Sequence, residues 1–161
     1  MDHRAAARIR SLVLAPHPEG GHYREIFRSA VAVAPADGRG ERRGLTAIHF
    51  LLAAGDFSRW HRLHSDEVWV HLEGDGIRLR LFGAAPPALR EVTLGDPAAG
   101  GVALQVIPAG TWQTAEPLGA YGLVACLVAP GFEFRDEEYL DGDAEARRVL
   151  RERWPELAGF I

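Results

Sequence analysis

Lysine is absent from this chain; all eighteen of its basic residues are arginine. That excludes a lysine Schiff base and the lysine of a phosphate-cradling P-loop. Cysteine is nearly absent too. Cys126 stands alone, so no intrachain disulfide forms and no cysteine-rich zinc site exists. It lies in the apolar run 123–128, where a buried, inert thiol is expected. No basic excess exists either: 18 basic against 22 acidic side chains give a net charge of −4, which speaks against nucleic-acid binding. Long apolar runs are missing, and the charged opening segment (MDHRAAARIRSL) reads neither as a signal peptide nor as a membrane span. The expectation is a cytoplasmic protein with no membrane partner. What is present, 161 residues with 47% hydrophobic and 25% charged side chains, suits one domain over 1–161 with a single core.

Turn-forming residues cut the middle of the chain into short segments rich in β-branched and aromatic residues: 22–30, 45–54, 67–72, 77–82, 90–94, 102–107 and 121–129. Between them lie Gly55-Asp56, Gly74-Asp75-Gly76, Gly83 with Pro86-Pro87, Gly95-Asp96-Pro97, Gly100-Gly101 and Pro108-Ala109-Gly110. Strands this short at this spacing predict an all-β barrel or sandwich. A short helix is predicted at each end. Asp2 caps the first, with Ala6, Ile9, Leu12 and Val13 on its apolar face and Pro16 beyond it. Asp143 caps the last, which Pro155 stops. The polar stretch 31–44 is expected to be a mobile loop.

Groups able to do chemistry concentrate between Gly55 and Gly74, which hold His61, His64, Glu67 and His71. On a strand, Glu67, Trp69 and His71 share one face. Imidazole and carboxylate on one enclosed wall bind a divalent metal or move protons. His61 and His64 reach a common centre only if the chain turns between them. Downstream, Trp112 and Gln113 follow a tight turn; the amide hydrogen-bonds in both directions, and a tryptophan at a pocket rim stacks on a ring. Upstream, Gly20-Gly21 marks an unusual backbone turn after Glu19. Alternation then places Tyr23 with Glu25 and Arg24 opposite, where an arginine clamps an anion or closes an interface salt bridge. Asp136 is read as a turn cap and Glu137-Glu138 as a solvated surface.

The 55–74 stretch resembles the first cupin motif, G-x5-H-x-H-x3,4-E-x6-G. Gly55, His61, Glu67 and Gly74 fall at its spacing, Leu63 stands at its middle histidine, and His64 follows one residue late. The second motif, G-x5-P-x-G-x2-H-x3-N, is echoed by Gly101, Pro108 and Gly110, with Gln113 in place of its metal-binding histidine. Five blocks in order (17–29, 46–52, 61–74, 108–116 and 123–140) are similar to a bacterial and fungal cupin branch once called a domain of unknown function. The resemblance implies a cupin jelly-roll β-barrel, here with short N- and C-terminal helices. It also implies a homodimer through N-terminal strands and a pocket at the barrel mouth similar to those of sugar-nucleotide epimerases and isomerases.

Three readings of that pocket follow. In the first it binds a polar metabolite such as a sugar nucleotide and epimerises or isomerises it without metal. His61 with Glu67, or His71, is then the base, and Tyr23 or Tyr121 the acid; His49, Trp69, Trp112, Gln113, Arg24 and Tyr121 contact the ligand. In the second, one divalent ion (iron, manganese, nickel or zinc) sits on His61, Glu67, Gln113 and His64, in a dioxygenase or isomerase with a degenerate metal site. In the third the pocket binds a ligand and performs no chemistry. Leu63 and Gln113, standing where ligands are usual, weigh against the second.

Overall fold

The computed structural model of the chain describes residues 2–83 and 87–161, so the turn expected at Pro86 lies outside the described residues. Helix α1 (His3–Ser11) opens the chain, and the Asp2 carboxylate accepts from the backbone N–H groups of Arg4 and Ala5. Strands β1 (Ala15–Pro16), β2 (His22–Arg28), β3 (Ala32–Val33), β4 (Arg42–Arg43) and β5 (Thr46–Ala53) follow. Then come β6 (Ser58–Leu63), β7 (Asp66–Gly74), β8 (Ile77–Phe82) and β9 (Leu89–Leu94). After these run β10 (Leu104–Ile107), β11 (Trp112–Pro117), β12 (Tyr121–Ala129), β13 (Glu137–Tyr139) and helix α2 (Ala144–Arg153). Asp143 caps α2, and its carboxylate accepts from Ala146.

Two antiparallel sheets, ordered β1-β2-β5-β12-β7-β10 and β13-β6-β11-β8-β9, close on one core as a jelly-roll barrel. Buried side chains from both, among them Leu52 and Val124 of the first and Leu79, Leu81 and Ala115 of the second, plug one half of the interior. The helices pack outside. Leu150 of α2 joins Trp60, Phe82 and Trp112 on the back of the second sheet, and Ala5 of α1 meets Leu51 and Tyr121 on the back of the first.

Four expectations need correction. Strands β6, β11 and β13 were not foreseen, because their inward positions carry His61, Gln113 and Glu137, which break the alternation of apolar and polar residues. The 31–44 stretch is not a free loop. It carries the β3–β4 pair, and Arg42, only 3% exposed, reaches across to the Asp136 carboxylate with two hydrogen bonds of 2.6 Å. Asp136 is therefore an ion-pair anchor, not a turn cap. Val13 lies past the end of α1 with φ 54° and is 68% exposed, so it takes no part in the helix's apolar face.

Candidate functional site

The half of the barrel that the plug leaves open is a cavity of about 330 Å³. Its walls are largely apolar: Ile48 and Phe50 on β5, Trp69 on β7, and Cys126 and Val128 on β12. Tyr23 and Glu25 project from β2, on the same side as alternation requires, and Phe132 and Phe134 lean over from the segment after β12. Polar groups gather at the floor. His61 and Leu63 come from β6, Glu67 from β7, and His17 and Glu19 from the turn before β2.

That turn is rigid for a steric reason. Gly20 sits at φ +118°, and a Cβ there would lie 2.1 Å from the carbonyl oxygen of Phe57. His17 N–H donates to Gly21 O and Arg59 N–H to Glu19 O, which staples the turn to the start of β6. On β6 the register slips: Gln113 opposes His61 while Ala115 opposes Ser58. A bulge of this kind brings residues three apart to one side. Ser58 Oγ and His61 Nδ1 accordingly lie 3.4 Å apart at the floor.

The hydrogen bonds fix the state of His61. Its Nδ1 lies 2.7 Å from Arg59 O, an acceptor only, so Nδ1 carries a proton. Its Nε2 then faces Glu19 Oε2 at 3.2 Å. The other Glu19 oxygen, Oε1, accepts from Ser58 Oγ at 3.1 Å, so imidazole, hydroxyl and carboxyl meet at one buried point. Burial, then the nearby Glu67 charge, push Glu19 up to about 8. Burial, then Glu19, push Glu137 up to about 8 as well. His17 is driven the other way, down to about 4, by burial and by His61. It is a neutral acceptor, and its Nδ1 takes the Glu19 N–H at 3.2 Å. Glu67 accepts from the Gln113 amide at 2.7 Å; burial raises it, partly offset by His61 and by that amide.

Of the residues singled out from sequence, His61, Glu67, Tyr23 and Trp69 line the cavity. His61 and Glu67 do not touch: among the described residues no ion pair joins them, and the partner of His61 is Glu19. Gln113 stands behind Glu67 and orients it. The others lie elsewhere. His64 turns outward to Glu138 at 2.7 Å. Trp112 is core under α2, with Arg62 over its ring. Tyr121 hydrogen-bonds Glu73 beside α1, at the far end of the first sheet. Arg24 donates to Leu12 O, and His49 pairs with it and with Ala125 across β2 and β12. His71 opposes Val124 next to a register shift and does not line the cavity. Missing from the sequence reading were His17, Glu137 and a functional Glu19. Glu137 is half-buried against Glu19 and not a solvated surface; only Glu138 faces outward, to Arg62 and His64. The signal for Glu19 was its place before two glycines.

The positions where the cupin motif carries metal ligands do not form a ligand set here. Leu63 offers methyl groups, and Gln113 turns its amide N–H, a donor, onto Glu67. A different trio, His17, Glu19 and Glu137, brings its donor atoms within 4.8 Å of one another.

The family profile described as Cupin superfamily (DUF985) matches residues 6–140. A hypothetical protein from Leishmania major is 32% identical and superposes with a TM-score of 0.82 over 98% of this chain and 96% of its own. A Shewanella oneidensis protein is 31% identical, with a TM-score of 0.79 over 96% of this chain and 92% of its own. Oxalate decarboxylase from Bacillus subtilis, at 16% identity and a TM-score of 0.55, covers 91% of this chain and 36% of its own, a likeness of fold alone. No curated protein matches the sequence. Among the described residues no helix is long and apolar enough to cross a membrane.

Proposed function

The chain belongs to the DUF985 family of the cupin superfamily, and from that premise we propose that its barrel cavity binds a compact metabolite and moves a proton on it, as a metal-independent isomerase or epimerase does. The observation that carries this reading is the approach of His61 Nε2 to Glu19 Oε2, 3.2 Å apart at the floor of an aromatic-walled cavity. A buried dyad of this kind gives or takes a proton without first exchanging it with bulk water. The His61–Glu19 pair together is the acid–base group, with His61 Nδ1 held on Arg59 O and Glu137 beside Glu19. Tyr23 is the acid available in the cavity, since Tyr121 is committed to Glu73 elsewhere. The volume of about 330 Å³ is near the lower end for ligand sites. It favours a single ring or short chain over a whole sugar nucleotide.

The test is solvent exchange. Candidate metabolites incubated with the protein in heavy water should gain deuterium at one carbon, read by NMR, and His61→Asn should abolish this while the variant still folds. Exchange that survives in His61→Asn would remove His61 from the role. Binding without exchange would leave a ligand-binding cupin.

One observation supports a second reading, a divalent-metal enzyme: the His17–Glu19–Glu137 trio. Iron, manganese, nickel or zinc held there would act as a Lewis acid toward a ligand oxygen. Elemental mass spectrometry on protein purified without chelators decides it. About one equivalent per chain, lost in Glu137→Gln, supports the metal; a content that does not depend on Glu137 removes it.

We also propose a homodimer. The edge of β2 is left open over 24–28, because β1 pairs only with Tyr23 and His22. An open edge flanked by exposed Ile26 and Phe27 is a template for another strand. Light scattering at twice 17.6 kDa is expected; a monomer mass would remove the claim.

A further inference from the structure

The charges that line the cavity are unequal, and their arrangement restricts what can enter. Among the described residues the cavity lining carries one guanidinium, that of Arg28, and it is held by two carboxylates. Its Nε and one terminal nitrogen donate to the two Glu25 oxygens at 2.9 and 2.7 Å, and the other terminal nitrogen donates to Glu133 at 3.2 Å. The remaining contact of that fork goes to Phe132 O at 3.3 Å. Two carboxylates thus surround one arginine at the entrance, so the ionised side chains there carry a net negative charge toward an incoming ligand. Deeper in, Glu19 and Glu67 add acidic groups whose hydrogen-bond donors are a neutral hydroxyl, that of Ser58, and a neutral amide, that of Gln113.

Between the two acidic levels the walls are aromatic. Phe132 and Phe134 meet edge to face at 5.0 Å, Tyr23 meets Phe134 at 6.5 Å, and Phe50 meets Trp69 at 5.7 Å. Ring faces attract cations and repel anions through their quadrupole. From this arrangement we propose that the cavity selects an organic cation, a primary ammonium or guanidinium carried on a compact apolar body, and rejects carboxylates and phosphates. The body packs among the rings while the charged head meets Glu19 and Glu67 at the floor or Glu25 and Glu133 at the mouth. The inference rests on the ligand-binding half of the proposed function and is independent of proton transfer.

A charge series on one skeleton tests it: 2-phenylethylamine, 2-phenylethanol and phenylacetate, with glucose 1-phosphate as the sugar-phosphate probe, titrated by calorimetry at millimolar concentration. The amine is expected to bind at least about tenfold tighter than the alcohol, with binding weakened by added salt, and the two anions not at all. Glu25→Gln removes one mouth carboxylate and loosens the Arg28 fork. It should weaken the amine and admit phenylacetate, and Glu133→Gln should act in the same direction if the first variant folds poorly. Phenylacetate or glucose 1-phosphate binding as tightly as the amine to the unaltered protein overturns the inference. An alcohol equal to the amine overturns the charge rule and leaves the pocket standing. Silence from all four probes overturns the inference while leaving the exchange experiment on His61 to decide the proposed function separately.

Discussion

Replacing Glu19 by glutamine should make the protein more stable in mild alkali than it is with its own residue. In the folded chain Glu19 is pushed from 4.5 up to about 8, so the folded state keeps a proton that the unfolded chain has released. Stability therefore falls as pH rises from 4.5 to about 8 and levels off above. His17 has the opposite sign. Lowered from 6.5 to about 4, it is buried neutral, and its contribution is lost as pH drops below 6.5. Above pH 6.5 the carboxyls act alone. Between there and 8, at about 1.4 kcal/mol per pH unit, Glu19 removes about 2 kcal/mol. Glu137 titrates with it as a coupled pair, so the joint loss is roughly 2–4 kcal/mol. For a domain of this size that is on the order of 4–12 °C in Tm. Glu19→Gln is isosteric and always neutral, and its amide can donate to His61 Nε2. It removes one member of the pair and the Glu19 charge from beside Glu137, whose own burial remains. Thermal unfolding at pH 6.5, 7.5 and 8.5, at constant ionic strength, should show the unaltered protein losing Tm stepwise and the variant losing distinctly less. Equal slopes in the two proteins would refute the protonated Glu19.

The remaining predictions concern the scaffold around the floor. Gln113→Leu strips Glu67 of its amide donor and should cost about 1–3 kcal/mol, because a buried acceptor is left alone; an unchanged Tm would mean that water replaces the amide. Gly20→Ala forces a methyl carbon to within 2.1 Å of Phe57 O at a φ of +118°, so the turn must move; about 2–4 kcal/mol of stability and the cavity's ligand affinity should be lost together, and a variant that keeps both would show the turn to be pliable. Asp136→Asn loosens the Arg42 anchor, and limited proteolysis should then cut within 31–44 much faster than in the unaltered protein; equal cutting rates would assign the ordering of that stretch to the β3–β4 pair alone.

The barrel was legible in the sequence where a strand's two faces differ in polarity. Ile77–Phe82 was read to its observed limits because arginines alternate with apolar residues along it, and Tyr121–Ala129 because it carries no charge between its flanking turns. Ser58–Leu63 was hidden because its inward row carries a histidine and its outward row a tryptophan, the reverse of what period-two patterning expects. The same inversion explains the site. A functional floor is polar where a core should be apolar, so the strands that build it look least like strands, and the residues that complete it come from segments with no period at all. Glu19 sits in a glycine turn and Glu137 in a run of acids, and each looks solvated until the fold lays β13 beside β6 and the 17–21 turn beneath both. The motif histidine His61 was visible by its spacing, but its partner was not Glu67, six residues further along the chain. The bulge at the start of β6 turns His61 toward the N-terminal turn, while Gln113 claims Glu67. Spacing along the chain identifies which groups a barrel wall can present. Which of them meet is decided by register slips and by connecting segments, and these follow from packing across the barrel rather than from any local pattern.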